Sequence, residues 1–307
     1  MRVAAIDCGT NSVRLLIAEP DGSGGLKDLE RRLEVVRLGQ GVDASGEFHP
    51  EALSRTFAAV DDYAELIKKA QVPIEKVHFV ATSATRDVKN RDSFFAGVEQ
   101  RLGVMPEVIT GETEARLSFI GALSRVTPED EPVLVMDIGG GSTELITGSA
   151  AGDMHGAISL EIGSVRVTER FLKQNPVARD DLERAARYVD DLLAASSVDF
   201  ASIGTWIGVA GTVTTLAGVY LELDHYDRER VHGAVIPLPA VQELLHRLVG
   251  MTVEEIRALP SMHPGRADVI TGGALVEARV AARLNVPELI VSESDILDGI
   301  ALGILDR

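Results

Sequence analysis

Residues 5–17 read AIDCGTNSVRLLI, and residues 135–147 read VMDIGGGSTELIT. Aligned without a gap, Asp7 falls on Asp137, Gly9 on Gly139, Ser12 on Ser142 and Leu15 on Leu145, with apolar residues on both sides. Each copy reads as a strand, an Asp at its end, a tight turn of Gly, Ser and Thr, and a second strand. Two such copies far apart in one chain predict two similar α/β half-molecules, each presenting a phosphate-cradling hairpin to a shared cleft.

A phosphate needs several donors at short range. Glycine turns supply them, because backbone N–H groups can approach closely where no Cβ intervenes. Gly139, Gly140 and Gly141 are the candidate backbone donors; Thr10, Ser12, Ser142 and Thr143 add hydroxyls and Asn11 an amide. Asp7 and Asp137 would repel a bare polyanion, but they fit if a magnesium ion lies between carboxylate and phosphate oxygens. In the same alignment Arg14 falls on Glu144, each two residues past the motif serine and so on that serine's side of a strand. This predicts a cation for phosphate in the first copy and an anion for magnesium in the second, unless strand twist carries Arg14 to solvent.

At 307 residues the chain can bury ample core in two domains. A net charge of −17 and only 4% aromatic residues argue against a nucleic-acid surface, which would be basic and rich in stacking rings. An acidic protein with an anionic substrate needs a locally positive site, and Arg14, Arg86, Arg116, Arg166 and Arg266 lie in or beside the motifs. Cys8 is the sole cysteine, which excludes an intrachain disulfide and suits a reducing cytoplasm. It reads as a small core residue. The N-terminal MRVAAIDCG reads as a strand rather than a signal peptide. Residues 200–221 carry no charge over a membrane-spanning length, but their Gly and Thr content and the acidic flanks Asp199 and Glu222 favour a strand, a turn and a helix.

Outward from the first hairpin, strands are expected at about 2–8, 13–19 and 26–38, with a turn at 21–25. A helix at 50–70 follows, with Leu53, Phe57, Val60, Ala64 and Ile67 on one apolar face. Then come strand 76–82, helix 91–102, strand 106–110 and helix 113–123, an order that resembles the ribonuclease H-like fold. The polar, proline-bracketed stretch 124–132 marks a boundary. The domains are therefore read as 1–124 and 125–293, with a last helix at about 294–307 packing back on the first. In the second, strands are expected at 133–138, 143–148, 154–161, 203–209 and 288–291, and helices at 163–172, 178–196, 212–221, 239–248, 252–258 and 265–283.

Three further stretches carry chemistry. Thr110–Leu117, TGETEARL, opens a helix after a strand. Glu112 and Glu114 sit two apart and so face different sides, and only one is expected at the site. A carboxylate pressed against phosphates has its pKa raised, which suits a general base near neutral pH. ATSATRD at 81–87 offers hydroxyls and the Arg86 guanidinium as a phosphate clamp. GVAGTVT at 208–214 sets a helix N-terminus, with Gly211 and Thr212, where an anion could bind. No HExxH or HxH spacing occurs among the histidines, so zinc is not expected; His232 reads as a turn histidine.

Together these stretches, with VHGAVIPL at 231–238 and RADVITGGALV at 266–276, resemble the exopolyphosphatase/guanosine pentaphosphate phosphatase (Ppx/GppA) family from residue 3 to about residue 300. DIGGGSTEL and the EARL-type motif carry the most specific part of that resemblance. It implies two ribonuclease H-like domains of the actin, sugar-kinase and heat-shock chaperone superfamily with an interdomain cleft. It also implies Mg2+-dependent hydrolysis of terminal phosphoanhydrides in polyphosphate or guanosine pentaphosphate by a cytoplasmic homodimer, with no nucleic-acid or membrane partner. By the resemblance Glu114 is the base that activates water, Arg86 lies at the substrate, and Asp137 and Glu144 attend the magnesium. Gly139 to Thr143, with Asn11 and Ser12, form the phosphate cradle. Two departures bear on long chains. Longer members carry helical domains beyond the point where this sequence stops, and Leu297 stands where many members have a basic residue. Two other readings of the fold are a sugar or acetate kinase and a nucleotide-responsive regulator. The EARL-type Glu and the lack of an evident acceptor pocket count against the first, and intact Glu114, Asp137 and Glu144 against the second.

Overall fold

The computed structural model describes residues 1–22, 25–86 and 88–305, without the side chains at 43, 83 and 84. Ser23 and Gly24 of the expected turn, Asp87, and the ends of the last helix at 306–307 therefore lie outside the described residues. In chain order the first half runs β1 Val3–Cys8, β2 Ser12–Pro20, β3 Leu26–Val35, α1 Val42–Ser45, α2 Pro50–Lys69, β4 Val77–Ala81, α3 Ser83–Arg86, α4 Arg91–Leu102, β5 Glu107–Val108 and α5 Gly111–Leu123. It continues with β6 Val133–Ile138, β7 Thr143–Gly148, β8 Met154–Leu160, α6 Ser164–Phe171, α7 Arg179–Ala195, β9 Thr205–Val209, α8 Ala210–Tyr220, α9 Arg228–Val231, β10 Val235–Pro237, α10 Leu238–Val249, α11 Val253–Arg257, α12 Ile270–Ala281, β11 Glu288–Val291 and α13 Ile296–Leu305.

Contacts divide the chain into two units, Met1–Ser124 with Ile296–Arg307, and Arg125–Asp295. The sheet of the first unit has the order β3-β2-β1-β4-β5, that of the second β10-β11-β9-β6-β7-β8. In both, the opening strand pairs antiparallel with the next and parallel with a later one. Each unit is thus ribonuclease H-like, and the second adds β10 as an edge strand.

All six residues of β1 are buried, as expected of a central strand covered on both faces. Ile6 and Cys8 pack with Val60, Tyr63 and Phe94 beneath α2 and α4, while Val3 and Ala5 pack with Ile296, Ile300 and Ile304 of α13. Burial pushes the Cys8 thiol far above its ordinary range, with Asp7 adding to the effect, so it is an inert core group. Leu297 is 1% exposed in the same layer as Val3, so its side chain serves the core.

Several elements differ from the sequence reading. α2 buries Ala52, Thr56, Ala59, Val60, Tyr63 and Ile67, a face turned from the expected one. Phe57 is displaced to the margin, where its ring lies 4.4 Å under the Arg101 guanidinium. The expected helix 265–283 is broken, with a 3-10 turn at Pro264–Arg266 ahead of α12. The elements α1, α3, α9 and β10 are too short to register as a periodicity. No helix among the described residues is long and apolar enough to cross a membrane; the uncharged stretch 200–221 contains β9 and α8.

One core residue is out of keeping with its surroundings. Glu277 of α12 has no solvent exposure, and neither carboxyl oxygen has a hydrogen-bond partner among the described residues. Burial pushes its pKa up to about 8. The helix packs on α6, α7, α8 and α10, and its Arg279 is engaged by Asp190 of α7 at 2.6 Å, which Arg283 shares. The unfolded chain releases the Glu277 proton near 4.5, whereas the folded protein keeps it to about 8. Glu277 therefore makes stability fall as pH rises through that window, by at most about 1.4 kcal/mol per pH unit. Glu277→Leu should raise the melting temperature more at pH 8 than at pH 5. Equal gains at both pH values in thermal denaturation would contradict this.

Candidate active site

The repeated hairpins superimpose in their hydrogen bonding. Gly9 N–H donates to the Ser12 carbonyl at 2.9 Å, and Gly139 N–H to the Ser142 carbonyl at 3.0 Å. Both turns are braced from behind by the segment after the third strand. In the first unit Val36 and Arg37 donate to the Asn11 carbonyl at 3.0 and 2.8 Å, and Gly39 donates to Thr10 at 2.8 Å. In the second, Ser164 donates to Gly139 at 2.9 Å, Val165 and Arg166 to Gly140 at 2.9 and 3.1 Å, and Gly163 to Gly141 at 3.1 Å. These donors are the first amides of α6, which a helix leaves without internal partners. The helix has no side-chain cap, because the glycine turn serves as one.

The brace requires backbone against backbone. A Cβ on Gly163 would fall on the Gly140 carbonyl group and the Gly141 nitrogen, and one on Gly39 would run into Thr10. With their carbonyls occupied, Gly140 and Gly141 keep N–H groups that meet no backbone acceptor among the described residues. Such a turn has the donor arrangement that a phosphate cradle needs. The brace was invisible in the repeat alignment because β3 has 10 residues and β8 has 7, so no fixed offset pairs Gly39 with Gly163. Thr143 departs from its expected role: fully buried, its hydroxyl donates to the Ile162 carbonyl at 2.9 Å and helps fasten the brace. Ser142 is 2% exposed, whereas Asn11 and Ser12 are half-buried.

Cross-strand register makes the two hairpins chemically opposite. Asp7 pairs with Arg14 across β1 and β2, and Asp137 pairs with Glu144 across β6 and β7. Arg14 Nε and Nη2 donate to Asp7 Oδ2 at 3.0 and 2.6 Å, with the Arg14 side chain 13% exposed. The structure thus gives Asp7 a cation from its own chain, and it engages Arg14 otherwise than as the phosphate ligand expected. In the second unit the opposed residues are both acidic, with Asp137 6% and Glu144 1% exposed. Ser159 Oγ donates to Glu144 Oε1 at 2.6 Å. Like charges directly opposite in a sheet are destabilising unless a cation answers them. Two carboxylates are a donor set that magnesium could use, with phosphate oxygens and water completing its shell; no cluster of three acid, His or Cys ligands occurs among the described residues.

Burial distinguishes Glu112 from Glu114. Glu112 is exposed, whereas Glu114 is buried and bonded to Arg86. α5 begins after Thr110, whose hydroxyl accepts from Thr113 N–H at 3.2 Å, so Glu114 sits in the first turns near the positive end of the helix. Arg86 is steadied by Nε donating to the Ile109 carbonyl at 3.1 Å. Thr82 N–H donates to the Cys8 carbonyl at 3.1 Å, which sets the 82–86 segment beside the Gly9 turn. The first unit therefore brings Asn11, Ser12, Arg86 and Glu114 to the same end of its sheet.

At the start of α8, Ala210 takes a left-handed φ of 66°, a strained junction for a residue with a Cβ. Arg266 packs against Gly211, and its Nη1 donates to Thr215 Oγ1 at 2.8 Å. Thr212 is buried against Gly273. His232 accepts from Glu293 N–H at 3.2 Å through Nδ1, a turn role. Arg166 pairs with Glu161, while Arg116 is exposed.

Two ribonuclease H-like units, each opening on an acid–glycine hairpin, make this a protein of the actin-like, two-domain architecture. The sequence matches the Ppx/GppA phosphatase family over residues 16–307, and the chain belongs to that family. It is 46% identical to exopolyphosphatase 2 of Mycobacterium tuberculosis over 317 residues, covering 99% of this chain and 98% of that protein. Among solved structures, an exopolyphosphatase-like protein is 41% identical with a TM-score of 0.92, covering 98% of this chain and 97% of the other. An Aquifex aeolicus Ppx/GppA family member is 31% identical with a TM-score of 0.84, covering 99% and 97%.

The brace yields a direct test. Gly163→Ala forces the α6 N-terminus off the glycine turn, a clash of overpacking worth about 1–3 kcal/mol. The melting temperature should fall and KM for a phosphorylated substrate should rise. An unchanged KM in a folded Gly163→Ala protein would show that the turn does not depend on the brace.

Proposed function

We propose that this protein is a magnesium-dependent exopolyphosphatase, hydrolysing the terminal phosphoanhydride of inorganic polyphosphate, with guanosine pentaphosphate as a further substrate of the same chemistry. The observation that carries the reading is the buried Asp137–Glu144 pair beside a glycine turn whose carbonyls are already bonded. A site with these features favours an anion and a divalent cation together. The 46% identity to an exopolyphosphatase supports polyphosphate as the substrate class.

In this reading Glu114 takes the proton of the attacking water on a carboxylate oxygen. Arg86 orients that carboxylate before substrate arrives, then transfers its hydrogen bond to a phosphoryl oxygen, which restores the basicity of Glu114. In the first unit the Ser12 hydroxyl is a donor for a phosphate oxygen at the same sheet end as Arg86 and Glu114, and in the second the Gly140 and Gly141 N–H groups are donors of the same kind. When bound, magnesium offsets the Asp137 and Glu144 charges and the charge that develops on the phosphate oxygens. Asp7 is set aside as a ligand because Arg14 already neutralises it.

Glu114→Gln should lower kcat for polyphosphate by about 10²–10⁴-fold with KM no higher, the usual weight of a general base. Glu112→Gln should leave both within about twofold, since an exposed first-turn acid contributes little. The reverse pattern in a phosphate-release assay would move the base to Glu112.

The metal reading is tested without turnover. Magnesium should raise the melting temperature of the wild-type protein. Asp137→Asn should abolish the magnesium-dependent gain. An undiminished magnesium response in Asp137→Asn would remove that residue from the site.

A further inference from the structure

The C-terminal helix α13 returns to the first unit and lies on α5, the helix that carries Glu114. At the crossing stands Gly299. A Cβ on it would land on the Leu117 carbonyl oxygen, with the Leu117 carbonyl carbon and Cα also in range. The obstruction is backbone, so no side-chain rotation can relieve it. Leu117 lies one helical turn beyond Glu114. Four residues on from Gly299, Gly303 has open space around the position of its Cβ, so the close approach is confined to one point of α13.

The helix is also fixed on its sheet side. Leu297, Ile300, Ala301 and Ile304 are buried against β1 and β2. Beside Gly299, Asp298 is fully buried, and its Oδ2 accepts from Arg31 Nη2 of β3 at 2.9 Å. Arg31 is in turn held by Asp28 Oδ2 at 3.1 Å. The sheet therefore sets the height of α13, and α13 sets the position of α5 through a contact with no side chain to yield.

We propose that Gly299 is a positioning residue for Glu114: by admitting α5 to backbone contact with α13, it sets the depth at which the Glu114 carboxylate meets Arg86 and the attacking water. Asp298 serves the same end by anchoring α13. The proposal rests on the reading of Glu114 as the base. It assigns to the far end of the chain a part in the chemistry of residue 114.

The test compares Gly299→Ala with Gly303→Ala, each alone and combined with Glu114→Gln, in steady-state hydrolysis of polyphosphate. Gly299→Ala should lower kcat by about 10–100-fold, the weight of an ångström-scale misplacement, with KM within about twofold. Gly303→Ala should keep wild-type kcat and KM. In the Glu114→Gln background, Gly299→Ala should lower the residual rate by less than about threefold, because it acts through a group already removed. A folded Gly299→Ala protein with near-normal kcat overturns the proposal. So does a full reduction that persists in the Glu114→Gln background, which would leave the base reading standing. Near-normal turnover in Glu114→Gln alone overturns the base reading, and the proposal with it. If Gly299→Ala gives no cooperative melting transition, Asp298→Asn takes its place, since it keeps a hydrogen bond to Arg31. It should lower kcat about 3–10-fold at constant KM with the same loss of effect in the Glu114→Gln background, and additivity there overturns the proposal.

Discussion

A turn that offers N–H groups to an anion also carries carbonyl groups that repel the same anion. Both hairpins of this protein meet that constraint in the same way, by giving the carbonyls to amides of the segment that follows the third strand. In the second unit the donors are the first amides of α6, so one set of hydrogen bonds satisfies two groups of otherwise orphaned atoms. The hairpin, the third strand and the helix start are thereby tied into one backbone unit. The cradle, the carboxylates at the strand ends beside it and the helices behind it all take their positions from this tie.

On that shared frame a single cross-strand position sets the chemistry. Arg14 opposite Asp7 gives a locally neutral pair, whereas Glu144 opposite Asp137 gives two negative charges in a buried place. Like charges directly opposite each other in a sheet repel. The second arrangement makes physical sense as a site whose charge is completed by a divalent cation and phosphate. The chain as a whole carries a net charge of −17, so affinity for a polyanion has to arise locally, from oriented amides and a few arginines rather than from the overall field.

Close packing of backbone recurs beside both sets of candidate site residues. Gly163 against the cradle and Gly299 against α5 both put main chain where a methyl group would not fit. Main-chain contacts resist the rotamer adjustments by which cores absorb small errors, so they transmit position faithfully. Glu277 is a different case, a carboxyl group of α12 whose pKa burial raises and whose oxygens have no hydrogen-bond partner among the described residues.

Much of this was legible along the chain. The repeat placed both hairpins, and counting back from a turn at Gly9–Ser12 sets Arg14 opposite Asp7, just as Gly139–Ser142 sets Glu144 opposite Asp137. Strand alternation and turn chemistry are local properties, written within a few residues of where they act. The sequence also narrowed the candidate base to Glu112 or Glu114, but two residues apart on a helix start differ only in what packs beside them. Burial and Arg86 separate them in the fold. The same holds for the Thr143 hydroxyl, spoken for by Ile162, and for Arg14, which could serve a phosphate or Asp7 with equal chemical sense. Gly163, Gly299 and Asp298 gave no signal at all, because each acts on a segment far away in the chain. By itself the sequence determined the two-fold architecture and the kinds of groups at the strand ends. Which of those groups meet, and which are already engaged, was decided only when distant segments packed, since a hydrogen bond or a steric limit exists only between atoms that the fold has brought together.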